Sequence, residues 1–315
     1  MAAAWIDTYD EGLFQPAYAR FNGYSWRNAS YFDTHSIDFE LPYFRRLDFS
    51  KVYAESVSKV MIAPKRLNAG SSPDIHPIMV GGWIFNDEKF NGTELFYCDL
   101  NASGSNRRWY SISWSKSNKT DFDIYFDEDY IYATWLEWDD IDKCYQVMAS
   151  RYSYDHHYWM PMENDNNNVL NSAKVTTTPG SKFTPKIASI PHGPSTTPIV
   201  CWEEDGDIHM AKWDPSTEPL PTPHIKRWVN LLGVENTTTN VSNTPYKESH
   251  DPDFAIDNTN NPIVVWGEEN VYNRLGVVCS RWNGGSWWNY QSQPGFSSIG
   301  DTITEGDVVF QGLHY

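Results

Sequence analysis

Arg20-Phe21-Asn22-Gly23-Tyr24-Ser25-Trp26-Arg27-Asn28 returns near the other end of the chain as Arg281-Trp282-Asn283-Gly284-Gly285-Ser286-Trp287-Trp288-Asn289. Six of the nine positions are identical across 261 residues. Weaker copies lie between them, so the chain reads as a repeat array, and the repeat decides the fold. The clearest copies run Pro198-Ile199-Val200-Cys201-Trp202-Glu203-Glu204 and Pro262-Ile263-Val264-Val265-Trp266-Gly267-Glu268. Each is preceded by a shorter run, Pro185-Lys186-Ile187-Ala188 or Pro252-Asp253-Phe254-Ala255. Each is followed by Ile208–Asp214 or Val277–Asn283 and then by a Trp. Short β-branched and aromatic runs divided by Gly, Asn, Asp and Pro are a strand meander.

The runs are called A to D. The B-run ends in aromatic-x-acid at Trp5-Ile6-Asp7, Tyr53-Ala54-Glu55, Trp135-Leu136-Glu137, Trp202-Glu203-Glu204 and Trp266-Gly267-Glu268. The C-run ends on a base at Arg20, Arg66, Arg151, Lys212 and Arg281. In the remaining unit, Trp83-Ile84-Phe85 and Asp99-Leu100-Asn101, both charges change together. Joint loss suggests contact, because a lone buried charge is costly. The expectation is a B-to-C ion pair in five units: Asp7 with Arg20, Glu55 with Arg66, Glu137 with Arg151, Glu204 with Lys212, and Glu268 with Arg281. The D-run opens at Trp26, Trp109, Trp159, Trp228 and Trp287, where packing between units is expected.

Anchors at 20, 66, 99, 151, 212 and 281 are about 52 residues apart, and four-strand repeats near that length form β-propellers. The expected fold is all-β, a six-bladed β-propeller in one domain, with seven blades as the alternative. The blades fall at 1–34 with 301–315, 35–70, 71–115, 121–163, 183–230 and 251–292. The chain enters at run B, and Thr302–Phe310 would supply the missing run A and close the ring. Residues 164–178 and 231–248 read as long loops.

The chain has 315 residues, 41 of them acidic and 24 basic, a formal net charge of −17. A polyanion disfavours nucleic acid and anionic lipid surfaces, and no apolar run is long enough to cross a membrane as a helix. The first residues lack the pattern of a secretory leader. Cys98, Cys144, Cys201 and Cys279 fit no metal spacing and read as buried thiols. Asn28, Asn91, Asn101, Asn118, Asn236 and Asn240 head N-x-[ST] sequons, which with the acidity point to an extracellular or cell-surface protein. No phosphate loop or hydrolase signature is present. The acidic turns Asp127–Asp129, Asp139–Asp142 and Asp205–Asp207 read as solvated turns, with a structural Ca²⁺ as the other reading and no cofactor expected.

The pattern P-x-V-x-W-x-E followed by V-x-x-R-W-N-G-x-S-W resembles the loose repeat of extracellular β-propellers, which include propeller lectins and the sialidase-like fold. The resemblance covers most of the chain. It implies a secreted or displayed propeller that binds a carbohydrate or protein partner without catalysis. A structural module of a surface, fibre or virion assembly is one alternative, and a glycoside hydrolase or polysaccharide lyase with a site on the channel rim is another. The sialidase Asp-box is not matched at Asn283–Trp287, and no family site is carried over. Flat rings beside charged groups make Trp26, Tyr152, Trp213 and Trp282 the sugar-stacking candidates.

Overall fold

The computed structural model describes residues 2–9, 13–20, 30–31, 39–40, 54–65, 76–86, 91–99, 109–113, 115, 117–127, 130–153, 158–161, 173–176, 178–192, 195–214, 227–234, 237–244, 247–269, 275–288 and 297–300. All regular structure among them is β. Sheet one holds β1 (Ala2–Tyr9), β2 (Leu13–Arg20) and β3 (Ser30–Tyr31). Sheet two holds β4 (Phe39–Glu40), β5 (Ala54–Lys65), β6 (His76–Asn86), β7 (Asn91–Asp99) and β8 (Trp109–Ser111). Sheet three holds β9 (Lys119–Phe126), β10 (Tyr130–Asp139), β11 (Cys144–Ser153), β12 (Tyr158–Pro161) and β13 (Ala173–Lys174). Sheet four holds β14 (Lys182–His192), β15 (Ser195–Glu204), β16 (Asp207–Asp214), β17 (Arg227–Val229) and β18 (Thr239–Asn240). Sheet five holds β19 (Ser249–Ile256), β20 (Pro262–Glu269), β21 (Leu275–Trp282), β22 (Trp287–Trp288) and β23 (Ser297–Gly300). Pairing is antiparallel except between β4 and β8.

In sheets three to five the outer edge is built twice. Trp159, Trp228 and Trp287 pair opposite Tyr152, Trp213 and Trp282. The chain then leaves and returns as β13, β18 or β23 to pair nearer the start of the same strand. The two expected loops therefore each contribute a strand. Leu231 is buried and anchors the second of them, whereas Leu232 is exposed.

The sheets stack face to face, and the core lies between them. One layer joins Ile78, Val80 and Tyr97 of sheet two to Trp135, Ile131 and Trp159 of sheet three. The next joins Val147 and Ala149 to Trp202, Val200 and Trp213 of sheet four. The third joins Cys201, Ile199 and Met210 to Trp266, Val264 and Trp282 of sheet five. Alternate residues of one strand thus serve different layers: Trp202 faces sheet three and Cys201 faces sheet five. Strands covered on both faces read as near-continuous apolar runs, and β10 is buried from Ile131 to Glu137. Successive first strands lie against one another: β5 against β9, β9 against β14, and β14 against β19. The fold is all-β and propeller-like.

Segments 35–70 and 71–115 were expected in different blades, but β5 from the first pairs along its length with β6 from the second. They form one sheet, and the described residues make five sheets rather than six. The expected closing strand, Thr302–Phe310, lies outside the described residues.

In four of the five units the expected B-to-C ion-pair partners do not stand opposite one another. Asp7 faces Gln15, and Arg20 faces Ala2. Glu137 faces Gln146, and Arg151 faces Tyr132. Glu204 faces Asp207, and Lys212 faces Ile199. Glu268 faces Gly276, and Arg281 faces Ile263. Glu55 lies in β5, and Arg66 follows that same strand, outside the described residues. The reason is antiparallel geometry: the end of one hairpin strand meets the start of the next, so two run-ends sit at opposite ends.

Glu204 and Glu268 instead pair with lysines on or just before the first strand of their own sheet. Lys182 faces Glu204 in register and its Nζ lies 3.2 Å from Oε1. Lys247 Nζ lies 2.8 Å from Glu268 Oε1. Lys119 faces Glu137 in register, and its Nζ bonds Glu94 Oε2 of the preceding sheet at 3.0 Å. A side-chain period of two puts Trp and the acid two residues on along the same face. The indole therefore donates to it: Trp135 to Glu137 at 2.9 Å, Trp202 to Glu204 at 2.8 Å, and Trp266 to Glu268 at 3.4 Å. Burial lifts the Glu204 carboxyl, but Thr178, Trp202 and Lys182 together hold it below its ordinary value. The displaced bases serve elsewhere. Arg281 bonds Asp257 and Thr259 in the hairpin before β20, and the Arg151 guanidinium lies 4.6 Å from the Tyr130 ring centre.

Sheet two departs from the repeat. Gly81 precedes Trp83 by two residues, and a Cβ there would meet Trp83 Nε1 at 3.1 Å. The indole overlies the glycine, and Glu94, in register with Trp83 on β7, is the acid that holds Lys119. The hairpin between β15 and β16 turns on Asp205 (φ 51°) and Gly206 (φ 83°), the left-handed pair of a type I′ turn. Gly206→Ala places a Cβ in that conformation and is expected to cost about 1 kcal/mol; urea unfolding would measure it.

Candidate functional site

The first strands of sheets three, four and five share an irregularity. Each bulges opposite the buried Trp region of its neighbour, at Asp121 (φ 36°), Thr184 (φ 44°) or Asp251 (φ 50°). A bulge re-aims the side chains that follow it. Two residues later stand Asp123, Lys186 and Asp253, one charge per sheet in the order minus, plus, minus. All three are half-buried.

These charges sense each other. Burial pushes the Asp123 carboxyl up to about 6, against the pull of Lys186, the Ile187 N–H and Lys59, while Asp253 pushes it further up. Asp123 Oδ2 accepts the Ile187 N–H at 3.1 Å, bridging from β9 to β14. Burial also raises Asp253, again opposed by Lys186. Lys59 of β5 reaches across to β9, where its Nζ bonds the Phe122 carbonyl, lies 3.7 Å from Asp121 Oδ1 and sits 5.0 Å from the Phe122 ring centre. Cys201, facing Lys186 in register, has its thiol pushed well up by burial and by Asp253.

A desolvated carboxyl, a second carboxyl and an ammonium on adjacent strands offer both acceptors and donors to a polar ligand. Asp123 is also poised to exchange a proton near neutral pH. Pro185-Lys186 and Pro252-Asp253 occupy the same repeat position with opposite charge. That reversal at one repeat position was the available signal.

No family model matches the chain, and no curated protein matches it. Among solved structures it is similar to the catalytic domain of a Coprinopsis cinerea GH62 alpha-L-arabinofuranosidase. Identity is 11%, the TM-score is 0.34, and 73% of each chain is covered.

The sequence-derived stacking candidates lie elsewhere. Tyr152, Trp213 and Trp282 are buried, and each meets its outer-edge Trp edge-on, at 5.8 Å, 5.6 Å and 5.3 Å between ring centres. Their faces are spent on packing between sheets, which corrects their assignment as sugar platforms. Trp26 lies outside the described residues. Of the sequons, Asn118 is exposed and its Nδ2 donates to Tyr145 Oη at 3.1 Å. Asn240 is half-buried in β18, with Nδ2 donating to Asp207 at 3.0 Å. Asn91 opens β7. Asn28, Asn101 and Asn236 lie outside the described residues. Cys98 and Cys201 are buried, and Cys144 and Cys279 are half-buried. The Asp139–Asp142 turn holds Lys174, whose Nζ lies 2.6 Å and 3.0 Å from its two end carboxylates.

Proposed function

We propose that the protein is an extracellular β-propeller that binds a neutral, hydroxyl-rich ligand, a glycan in particular, at the charges on its first strands. The observation that carries this reading is the half-buried Asp123–Lys186–Asp253 series, set by the same bulge in three successive sheets. Fixed donors and acceptors of alternating sign suit hydroxyl groups. The net charge of −17 disfavours anionic ligands.

A glycan array would test it. Asp123→Asn keeps a carbonyl for the Ile187 N–H while removing the charge, and Lys186→Met keeps the stem. Each is expected to weaken binding by about tenfold or more, the loss of one charged hydrogen bond. Silence of the wild type across the array, or variants that bind like the wild type, would end the proposal.

One observation favours a second reading, glycoside hydrolysis. The raised Asp123 and a nearby carboxyl are the components of an acid–base pair. Asp123 as general acid must hold its proton, so hydrolysis would decline as pH rises through about 6. Reducing sugar released from array-positive glycans decides between binding and turnover. An activity that Asp123→Asn leaves intact, or one with no such decline, would reject Asp123 as the acid.

A further inference from the structure

A different cluster lies at the beginning of β19, before the bulge that leads to Asp253. Ser249 faces Glu268, so Glu248 and Glu269 meet at the strand ends, where the Glu269 N–H donates to the Glu248 carbonyl at 3.0 Å. Opposed like charges are destabilising unless something neutralises them. His250 joins them: its Nε2 lies 3.5 Å from Glu248 Oε2. One oxygen of Glu248, one of Glu269 and one ring nitrogen of His250 all lie within 4.8 Å of one another.

The independent observation is behind the ring. Glu203 of β15 is buried, and its Oε1 lies 3.2 Å from His250 Nδ1. Its other oxygen accepts the Asp251 N–H at 3.4 Å. A carboxylate on Nδ1 fixes the tautomer and turns Nε2 outward, the usual support behind a metal-bound histidine. We propose that Glu248, His250 and Glu269 bind a divalent transition-metal ion, with Glu203 as the positioning residue behind His250. One imidazole nitrogen and two carboxylates suit Zn²⁺ or Mn²⁺; Ca²⁺ and Mg²⁺ take oxygen ligands. The Glu248 side chain is 70% exposed, which leaves an entry path and room for water in the remaining positions. The cluster needs none of the groups of the proposed ligand site.

Isothermal titration of EDTA-stripped, dialysed protein with ZnCl₂ and with MnCl₂ tests the assignment. The wild type is expected to take up one ion per chain and to melt at a higher temperature with the ion present. His250→Gln should abolish that uptake. Glu203→Gln touches no metal and should still weaken it by about 10–100-fold. Glu248→Gln, at an exposed position, should weaken it by at least about tenfold and serves if His250→Gln fails to fold. Absence of uptake for both ions, or uptake that neither the His250 nor the Glu248 substitution changes, would overturn the proposal.

Discussion

Lys119→Met is expected to destabilise the fold by about 3–5 kcal/mol, the usual cost of leaving one member of a buried ion pair without its partner. Lys119 is fully buried, and Glu94 is 2% exposed. Its ammonium also donates to the Ser115 and Ser117 carbonyls, so one side chain holds together sheet two, the linker and sheet three. Glu94 has hydroxyl donors in Ser111 and Ser113 that remain after the substitution, but no second cation is bonded to it among the described residues. The pH dependence gives the signature. Burial, opposed by Lys119, pushes the Glu94 carboxyl up to about 7 from its ordinary value near 4.5. Between those values the folded chain holds a proton that the unfolded chain has released. Wild-type stability from this group is therefore highest at acid pH and falls as pH rises to about 7. In Lys119→Met that opposing pull is lost and burial pushes the Glu94 carboxyl higher still, so stability falls further as pH rises and the variant's deficit should be larger at pH 8 than at pH 5. Urea unfolding at both values measures it. An equal deficit at the two pH values would show that Glu94 is not the group affected.

Trp202→Ala is expected to cost about 3–5 kcal/mol, at the upper end for core truncations. The indole is fully buried among Val147, Ala149 and Val200 in the layer between sheets three and four. Strands on both sides are fixed by their own ladders, so the cavity has little freedom to collapse. The change also strips Glu204 of its indole donor, leaving Lys182 and Thr178 to hold the carboxylate. Trp202→Phe separates the two contributions, because it keeps an aromatic ring in the core while removing the indole N–H. It should cost much less, about 1–2 kcal/mol, with a hydrogen bond to a charged group as the main loss. Chemical denaturation of both variants tests this. A Phe variant as unstable as the Ala variant would mean that the hydrogen bond, rather than packing, dominates.

The Trp-x-Glu phrase was legible in the sequence as a unit, and for Glu204 and Glu268 so was a link between its acid and a base. Which base was not. Reading the runs end to end matched Glu204 to Lys212, whereas antiparallel pairing matches it to Lys182 on the strand before. Sheet two was harder still. There Gly81 and Trp83 exchange the usual order of ring and space, and the acid moves to Glu94 on the opposite strand. A search for Trp-x-acid in one strand divides that sheet into two false units. The site charges were visible as a reversal at one repeat position. Their proximity was not, because it arises between first strands about 65 residues apart, such as those carrying Asp123 and Lys186. The tryptophans misled for the opposite reason: composition shows that rings are abundant, but burial decides whether a face is free.

The sequence by itself determined the class of fold, since period-two apolar runs broken by turn residues, with a matching phrase at both ends, admit only repeated antiparallel strands. It also determined which residues vary together. Tertiary structure alone decided which of them touch. Hairpin register and the stacking of one sheet on the next set those contacts, and both depend on backbone directions in space that no spacing along the chain encodes.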